Sequence, residues 1–238
     1  MNDLKRDKVV VLRCWLAMGG KEDVLRRRYR NRMYDYYWRD EPSDDVSQWL
    51  GVKVEGGRVT VLEWNWGECT SWPSQKREQD PHRSLTGAIP AEMWMLDGLT
   101  ELSLGENFLC GHLPSEIGRL TSLKRLMLYS NNLEGPLPAE LGALTALERL
   151  GLDSNNFTGE LPYTLANLTN MKWLWLGSPF ESGHLVNSDN ENKCKKRARK
   201  FLSKLGKAAC ERCESLKAEC EKLKVENEKL KAKYEPDL

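Results

Sequence analysis

This sequence of 238 residues has no long apolar run, few histidines and a net charge close to zero. No stretch approaches the roughly 20 apolar residues that a membrane span needs. The apolar run near the first residue is short and follows several charges, so we expect no signal peptide. The three histidines are widely separated, and no phosphate-binding loop, nucleophile elbow or histidine-rich metal motif occurs. We therefore expect a non-enzymatic protein with no cofactor, no metal and no membrane span.

Cysteine is present, but not in a pattern of disulfide pairs. The seven cysteines are an odd number without a paired framework, which favours reduced thiols and a cytoplasmic or nuclear protein. Cys210 and Cys213 form one close pair, with Cys194 and Cys220 nearby. Because a zinc site usually shows two close pairs, we interpret this pair, which lies in a helical pattern, as helix packing.

The formal net charge of +1 hides two oppositely charged parts. Residues 193–233 hold 15 Lys and Arg against 6 Asp and Glu, a net of +9. Residues 1–192 hold 21 against 27, a net of −6. The sequence thus predicts a mildly acidic body joined to a basic tail.

The body repeats itself every 24 residues. The pattern L-x-x-L-x-L begins at Leu99, Leu123, Leu147 and Met171. Three copies continue to Asn107, Asn131 and Asn155, and four carry the phrase L/F-x-G-x-I/L-P that ends at Pro90, Pro114, Pro138 and Pro162. Each copy predicts a short strand with inward leucines, an asparagine that bonds buried backbone groups, and a helical turn after the proline. Neighbouring copies must stack, because one copy cannot bury its leucines alone.

This period and its G-x-I/L-P phrase resemble the plant-type leucine-rich repeat family. The resemblance implies an α/β repeat solenoid, with a short parallel sheet on the concave face and a helical N-terminal cap. The stretch DKVVVLRCWLAMGG resembles the opening helix of that cap, and Trp38 and Trp49 occupy familiar cap positions. Secreted relatives usually carry paired cysteines there, whereas Val54 stands at one of these places. The difference favours an intracellular protein over a receptor ectodomain.

These patterns divide the chain into four parts. We expect an N-terminal cap at 1–58 and leucine-rich repeats at 59–177. The first repeat is interrupted at about 68–83 by a stretch of mixed charge, which we interpret as a surface loop. A polar linker at 178–193 precedes a basic segment and an α-helical coiled coil at 194–238.

The outward strand positions predict where a partner binds, because they differ from copy to copy while the inward leucines repeat. The candidate partner-binding residues are Glu101, Arg125, Met127, Tyr129, Arg149, Asp153, Trp173 and Trp175. Arg, Tyr and Trp are frequent interface hot spots. Two alternatives stay open. The tryptophans could cover the apolar end of the stack, and the arginines could simply pair with Glu101 and Asp153.

In the tail the period changes to seven. Leu or Ala recurs at heptad position d from Leu202 to Leu230, and the pattern is good from about 209 to 234. It predicts a parallel homodimeric coiled coil in which Asn227, at position a, pairs with its own copy. The candidate dimerisation residues are Leu216, Cys220, Leu223, Asn227 and Leu230. The alternative is a single exposed helix, since isolated helices of this length are marginal in water.

The basic run at 193–207 contains eight Lys and Arg and no acidic residue. It allows an import signal, a patch for nucleic acid or anionic lipid, or a solvated face. Its spacing does not match basic-zipper proteins, so we expect no sequence-specific DNA binding. The function we expect is a scaffold, in signalling, that binds an unknown protein partner on the concave face and dimerises through its tail. The alternatives are a nucleic-acid-associated factor acting through the tail, or a fragment of a larger repeat receptor.

Overall fold

The computed structural model describes residues 3–20, 22–25, 44–65, 85–177 and 200–208, with six single residues between 211 and 224. The expected surface loop at 68–83 and the linker at 178–193 lie outside them, as does Trp38. The helices are α1 (Asp3–Ala17) and α2 (Glu22–Leu25), and the strands are β1 (Val52–Glu55), β2 (Arg58–Glu63), β3 (Thr86–Ala88), β4 (Glu101–Ser103), β5 (Phe108–His112), β6 (Arg125–Met127), β7 (Asn132–Pro136), β8 (Arg149–Gly151), β9 (Asn156–Thr158) and β10 (Trp173–Trp175).

Helix α1 packs on the repeats through one apolar face. Val10, Val11, Cys14 and Trp15 are buried on that face, at positions that follow the helical period. The Trp15 ring meets the Trp64 ring edge to face, with the ring centres 5.0 Å apart. This contact joins the helix to the residue that follows β2.

A buried ionic network fastens α1 to β2. Asp7 is fully buried and accepts hydrogen bonds from Arg58 Nε at 2.8 Å and from the Val59 N–H at 3.1 Å. Arg58 also pairs with Asp97, whose carboxylate lies 3.2 Å from Arg6 Nη2. Hydrogen bonding to Asp7 and Asp97 raises the pKa of Arg58, and the hydrogen bond from Arg58 lowers the pKa of Asp97. No periodic pattern in the sequence indicates this network, because its members lie far apart in the chain.

The larger sheet has the strand order β1-β2-β4-β6-β8-β10. β1 pairs antiparallel with β2, and the later pairings are parallel. The register sets one leucine of each repeat strand side by side, and these residues are fully buried: Leu102, Leu126, Leu150 and Leu174. The parallel strands and inward leucines confirm the α/β repeat solenoid that the spacing predicts.

A second parallel sheet, of order β3-β5-β7-β9, follows the asparagine turns, and the spacing alone does not predict it. Leu109, Leu133 and Phe157 are its buried residues. The glycine of each G-x-I/L-P phrase lies in this sheet or directly after its last strand and has a left-handed backbone, as Gly135 shows with φ +76°. A Cβ atom at Gly135 would lie 2.1 Å from Cδ2 of His112. Glycine is therefore favoured there by the left-handed backbone, while the exposed His112 side chain could turn to make room.

Each repeat proline precedes a short 3₁₀ turn, where the pattern predicts a helical turn. The turns are Ala91–Met95, Ser115–Arg119, Ala139–Ala143 and Tyr163–Asn167. Each turn buries an apolar residue against the repeat leucines, and these are Met93, Ile117, Leu141 and Leu165. The turns thus close the core on the side away from the strands of the larger sheet.

The repeat asparagines bond the backbone of two adjacent coils, as predicted. Asn131 Nδ2 donates to the Leu104 carbonyl in the preceding coil at 3.0 Å, and Asn131 Oδ1 accepts from the Leu109 N–H at 3.0 Å. Asn107 and Asn155 make equivalent bonds. These side chains satisfy backbone groups that the turn would otherwise leave unpaired.

Residues 200–208 form a helix that packs on the last coil. Leu202 is 2 % exposed and belongs to the same core as the repeat leucines, and Phe201 and Leu205 pack partly against that core. A Cβ atom at Gly206 would lie 3.0 Å from Cβ of Ala166. The heptad pattern assigns Leu202 to a coiled-coil seam, whereas the structure buries it in the core of its own chain. The candidate dimerisation residues Leu216, Cys220, Leu223, Asn227 and Leu230 lie outside the described residues.

Candidate functional site

The outward residues of the larger sheet form the candidate site, which we call the concave face. Strand pairing aligns them in two columns, one of Val61, Glu101, Arg125, Arg149 and Trp173, the other of Glu63, Ser103, Met127, Gly151 and Trp175. These are the columns that the 24-residue spacing predicts. Each outward side chain is held in place because the leucine between the two columns is buried.

In the half of the concave face nearer the cap, Arg125 is engaged by two carboxylates. Its Nη1 atom lies 3.3 Å from Glu101 Oε2 and 3.9 Å from Glu63 Oε1. All three side chains remain about one third exposed, and such pairs contribute only about 0–1 kcal/mol. Two carboxylates and one guanidinium give this half a net negative charge.

In the other half, Arg149 faces aromatic rings. Its guanidinium carbon lies 5.6 Å from the centre of the Trp173 ring, which is a cation–π distance. Trp173 meets Trp175 edge to face, with the ring centres 5.8 Å apart. Within the described part of the chain, Arg149 has no ion pair, so the alternative pairing with Asp153 is not formed. The guanidinium therefore keeps its positive charge uncompensated.

Met127 and Gly151 form an apolar floor beside Trp175. The Met127 side chain occupies the space that a side chain at position 151 would take, since a Cβ there would lie 3.0 Å from Met127 Cε. Met127 is 8 % exposed, so it offers a partner a flat contact. We call Met127, Gly151, Trp173 and Trp175 the apolar shelf, which Arg149 borders.

Tyr129 and Asp153 follow β6 and β8 and are half-buried. The Tyr129 ring lies over Gly105, where a Cβ atom would come within 2.7 Å of its Cε1. The Asp153 carboxylate accepts a hydrogen bond of 3.4 Å from Ser154 Oγ. Both residues thus sit beside the aligned columns, at the ends of their strands.

Asn65 follows β2 at the same position as Tyr129 follows β6 and Asp153 follows β8. It is not among the candidate partner-binding residues predicted from the sequence. Its Nδ2 donates to Ser103 Oγ at 2.6 Å, and its Oδ1 accepts from the Gly105 N–H at 2.6 Å. Asn65 therefore links the first coil to the second on the concave face. The 24-residue spacing sets Asn65 in line with Tyr129 and Asp153, but it does not predict these hydrogen bonds, because the equivalent residues of the other coils are not asparagine.

Cys14 on α1 and Cys110 on β5 lie away from the concave face. Cys14 is fully buried, and burial, with the nearby Glu92 carboxylate, raises its pKa to about 12. Cys110 is exposed on β5 and has no disulfide bond. Over the described ranges no group of His, Cys, Asp and Glu could hold a metal ion, and no helix is long and apolar enough to span a bilayer. The paired cysteines of the tail lie outside those ranges.

Comparison with known proteins places three coils in one family. Residues 98–120, 122–144 and 146–168 match the leucine-rich repeat family model. The ectodomain of the plant membrane receptor kinase GASSHO1/SCHENGEN3 from Arabidopsis thaliana, solved in complex with CASPARIAN STRIP INTEGRITY FACTOR 2, is 28% identical with a TM-score of 0.52. That match covers 70% of this chain and 17% of the ectodomain.

A plant ice-binding protein is 27% identical to this chain, with a TM-score of 0.56. The match covers 74% of this chain and 49% of that protein, so the chain spans half or less of both solved relatives. Among curated proteins, none matches the sequence.

Proposed function

Because the body of this chain is a leucine-rich repeat solenoid of the plant type, we propose that it is a non-enzymatic interaction scaffold that binds a partner protein on its concave face. The apolar shelf carries this proposal, since it sets two partly exposed tryptophans beside an arginine with no carboxylate partner among the described residues. Trp and Arg are the residue types that dominate interface hot spots. The complex of GASSHO1/SCHENGEN3 with CASPARIAN STRIP INTEGRITY FACTOR 2 supports a partner of this kind.

The two halves of the concave face have different roles in this proposal. The apolar shelf with Arg149 supplies most of the binding energy, because desolvated aromatic and arginine contacts contribute most at interfaces. Glu101 and Arg125 belong to a solvated charge cluster and orient the partner rather than hold it. Tyr129 and Asp153 lie beside the aligned columns, at the ends of β6 and β8, and extend the contact.

Affinity capture with the full chain tests this proposal. We expect Arg149→Glu and Trp175→Ala each to lose the partner that the unmodified chain captures, while their thermal melting stays nearly unchanged, since outward strand positions carry little packing energy. The matched control is Arg119→Glu, which makes the same charge change at an exposed position of a 3₁₀ turn. Equal recovery by Arg149→Glu, Trp175→Ala and the control would contradict the proposal.

We also propose that the tail forms a parallel homodimer. The described residues from 211 to 224 are helical and exposed, and each falls at an outer heptad position rather than at a or d. They are Glu211, Glu214, Lys217, Glu221, Lys222 and Lys224. An exposed charged side of this kind is typical of a helix whose other side packs in a coiled coil.

Sedimentation of the full chain under reducing conditions tests the homodimer. We expect a concentration-dependent dimer that Leu216→Lys with Leu223→Lys converts to a monomer. The control places the same lysines at outer positions, as Glu214→Lys with Glu221→Lys, and is expected to leave the dimer intact. A chain that stays monomeric at every concentration would exclude the coiled coil.

A further part of the proposal is a reducing compartment, either cytoplasm or nucleus. It is supported by the free thiols of Cys14 and Cys110 and by Val54 at the place where secreted relatives usually carry a cap cysteine. Imaging of a fluorescent fusion in plant cells tests this, and secretion of the fusion would contradict it.

A further inference from the structure

The helix at residues 200–208 has two chemically different faces. One face is apolar and turned to the repeats, with Leu202 2 % exposed and Phe201 and Leu205 partly buried against the core. The opposite face is formed by Lys200, Lys204 and Lys207, all of which are exposed. Because the apolar face is anchored, the helix fixes the positions of the lysine backbones relative to the last coil.

The three lysines form what we call the lysine stripe. They lie four and three residues apart, so they line one side of the helix over about 10 Å. None of the three has an ion pair with any described residue. By contrast, Lys172 on the neighbouring coil pairs with Glu148. The stripe is therefore a row of positive charges that no described residue compensates, on a helix supported by the repeats.

The sequence around the lysine stripe strengthens its positive charge. Five further Lys and Arg precede it between residues 193 and 199, and no acidic residue occurs from 193 to 207. The body of the chain is acidic, with a net of −6 over residues 1–192. The sequence thus concentrates positive charge in the segment that contains the stripe, and this charge attracts polyanions.

We propose that the lysine stripe binds the phosphate backbone of a nucleic acid without reading its sequence. Successive phosphates of one DNA strand are about 3.4 Å apart along the helix axis, so the stripe faces about three of them. The spacing of the tail does not provide the base-reading residues of basic-zipper proteins, which fits backbone contact alone. This activity is independent of protein binding on the concave face, because the two surfaces belong to different elements.

A membrane surface fits the lysine stripe less well than a nucleic acid. Helices that adsorb to membranes insert an apolar face among the lipids. The apolar face of this helix is already occupied by the repeats, because Leu202 lies in the core. Only the attraction between charges would then hold this helix to a membrane. A nucleic acid is the better target for such attraction, because its phosphates are more closely spaced.

Fluorescence anisotropy of the full chain with a labelled random-sequence DNA duplex tests the proposal. We expect binding whose affinity falls steeply with salt and does not depend on base sequence. The variant Lys200→Gln with Lys204→Gln and Lys207→Gln is expected to bind at least roughly a hundredfold more weakly at low salt, with the slope of log affinity against log salt reduced by about 2 to 3.

The matched control removes three exposed lysines from the body, as Lys5→Gln, Lys53→Gln and Lys124→Gln. It makes the same change in net charge, and we expect it to leave the affinity and the salt slope nearly unchanged. An equal loss in the control, or no binding of duplex DNA at low salt, would overturn the proposal. Stronger binding to phosphatidylserine vesicles or to polyglutamate than to DNA would overturn it as well, and would assign the stripe to a membrane or to an acidic protein.

Discussion

The two ends of the repeat stack are both covered by apolar packing, and they differ in what accompanies it. At the N-terminal end, the apolar face of α1 is joined by the buried carboxylate of Asp7, which accepts hydrogen bonds from Arg58 and the Val59 N–H. At the C-terminal end, the 200–208 helix is held by apolar packing around Leu202. Both devices meet the same need, because a terminal coil has no neighbour to cover its leucines.

The difference matters for how each end responds to change. Removing one member of a buried ionic network leaves the other member charged and without its partner, which is strongly destabilising. Removing an apolar side chain loses transfer free energy and leaves a cavity that the surroundings can partly fill. The N-terminal end is therefore expected to be specific and intolerant of substitution, and the C-terminal end more tolerant.

The largest effect is expected from Asp7→Ala. It removes the buried carboxylate that accepts from Arg58 and the Val59 N–H, while Arg58 keeps its pairing with Asp97. Hydrogen bonds to a charged group contribute about 1.5–3 kcal/mol each, so we expect the free energy of unfolding to fall by about 3–5 kcal/mol. Urea unfolding followed by tryptophan fluorescence measures this. Asp3→Ala, at an exposed position of the same helix, is the control and is expected to cost under about 0.5 kcal/mol. Equal costs for the two variants would show that the network does not hold the cap.

A smaller and more local effect is expected from Leu202→Ala. The loss of a buried leucine costs about 2–4 kcal/mol, and in a stack of repeats the loss is felt first by the adjacent coil. Hydrogen exchange should therefore speed up at the Leu174 and Leu176 amides and not at Leu102. Ser203→Ala, one exposed residue further on, is the control. Faster exchange along the whole stack would contradict independent closure of the two ends.

The repeating elements could be predicted from the sequence because their physics recurs every 24 residues. Inward leucines, turn asparagines and prolines each return at one phase, and the strand pairing and hydrogen bonds confirm their roles. The outward columns of the concave face follow from the same register. Periodicity is thus sufficient for the scaffold and for the positions of candidate site residues.

Structural features that occur only once in the chain could not be predicted from the 24-residue period. The network of Asp7, Arg58 and Asp97 joins residues from three separate elements, and a charged residue in an amphipathic helix is ordinarily assigned to the solvent side. Leu202 fits position d of the heptad pattern, so the sequence assigns it to a coiled coil and not to the core of its own chain. The engagement of Arg125 by Glu63 as well as Glu101 depends on side-chain reach across three strands. Strand register predicts where an outward residue lies. It does not predict whether that residue contacts a partner.

Between the two ends, the asparagine turns provide an internal comparison. Asn131 is 7 % exposed and its side chain bonds the backbone of its own coil and of the preceding coil, whereas Asn155 is more exposed and lies nearer the C-terminal end. We expect Asn131→Ala to lower the free energy of unfolding by about 1–3 kcal/mol, since it leaves buried backbone groups unpaired, and Asn155→Ala to lower it by less. Urea unfolding of both variants measures the difference. A larger loss for Asn155→Ala would mean that the end coil depends on its turn more than on the helix that covers it.

The smallest effect is expected at acid pH and at the N-terminal end alone. The hydrogen bond from Arg58 lowers the pKa of Asp97, so this carboxylate stabilises the fold above its unfolded pKa of about 4. That contribution is lost as the pH falls through the folded pKa. It is small because the Asp97 side chain is 56% exposed and its charge is screened by water.

Asp97→Asn should therefore lower the melting temperature slightly at pH about 6, and the difference should vanish at about pH 2. Glu134→Gln, which changes an exposed carboxylate on β7 that has no ion pair with a described residue, is the control and should show no such convergence. A difference for Asp97→Asn that persists at low pH would mean that Asp97 acts through packing and not through its charge, and the contrast between an ionic end and an apolar end would then rest on Asp7 alone.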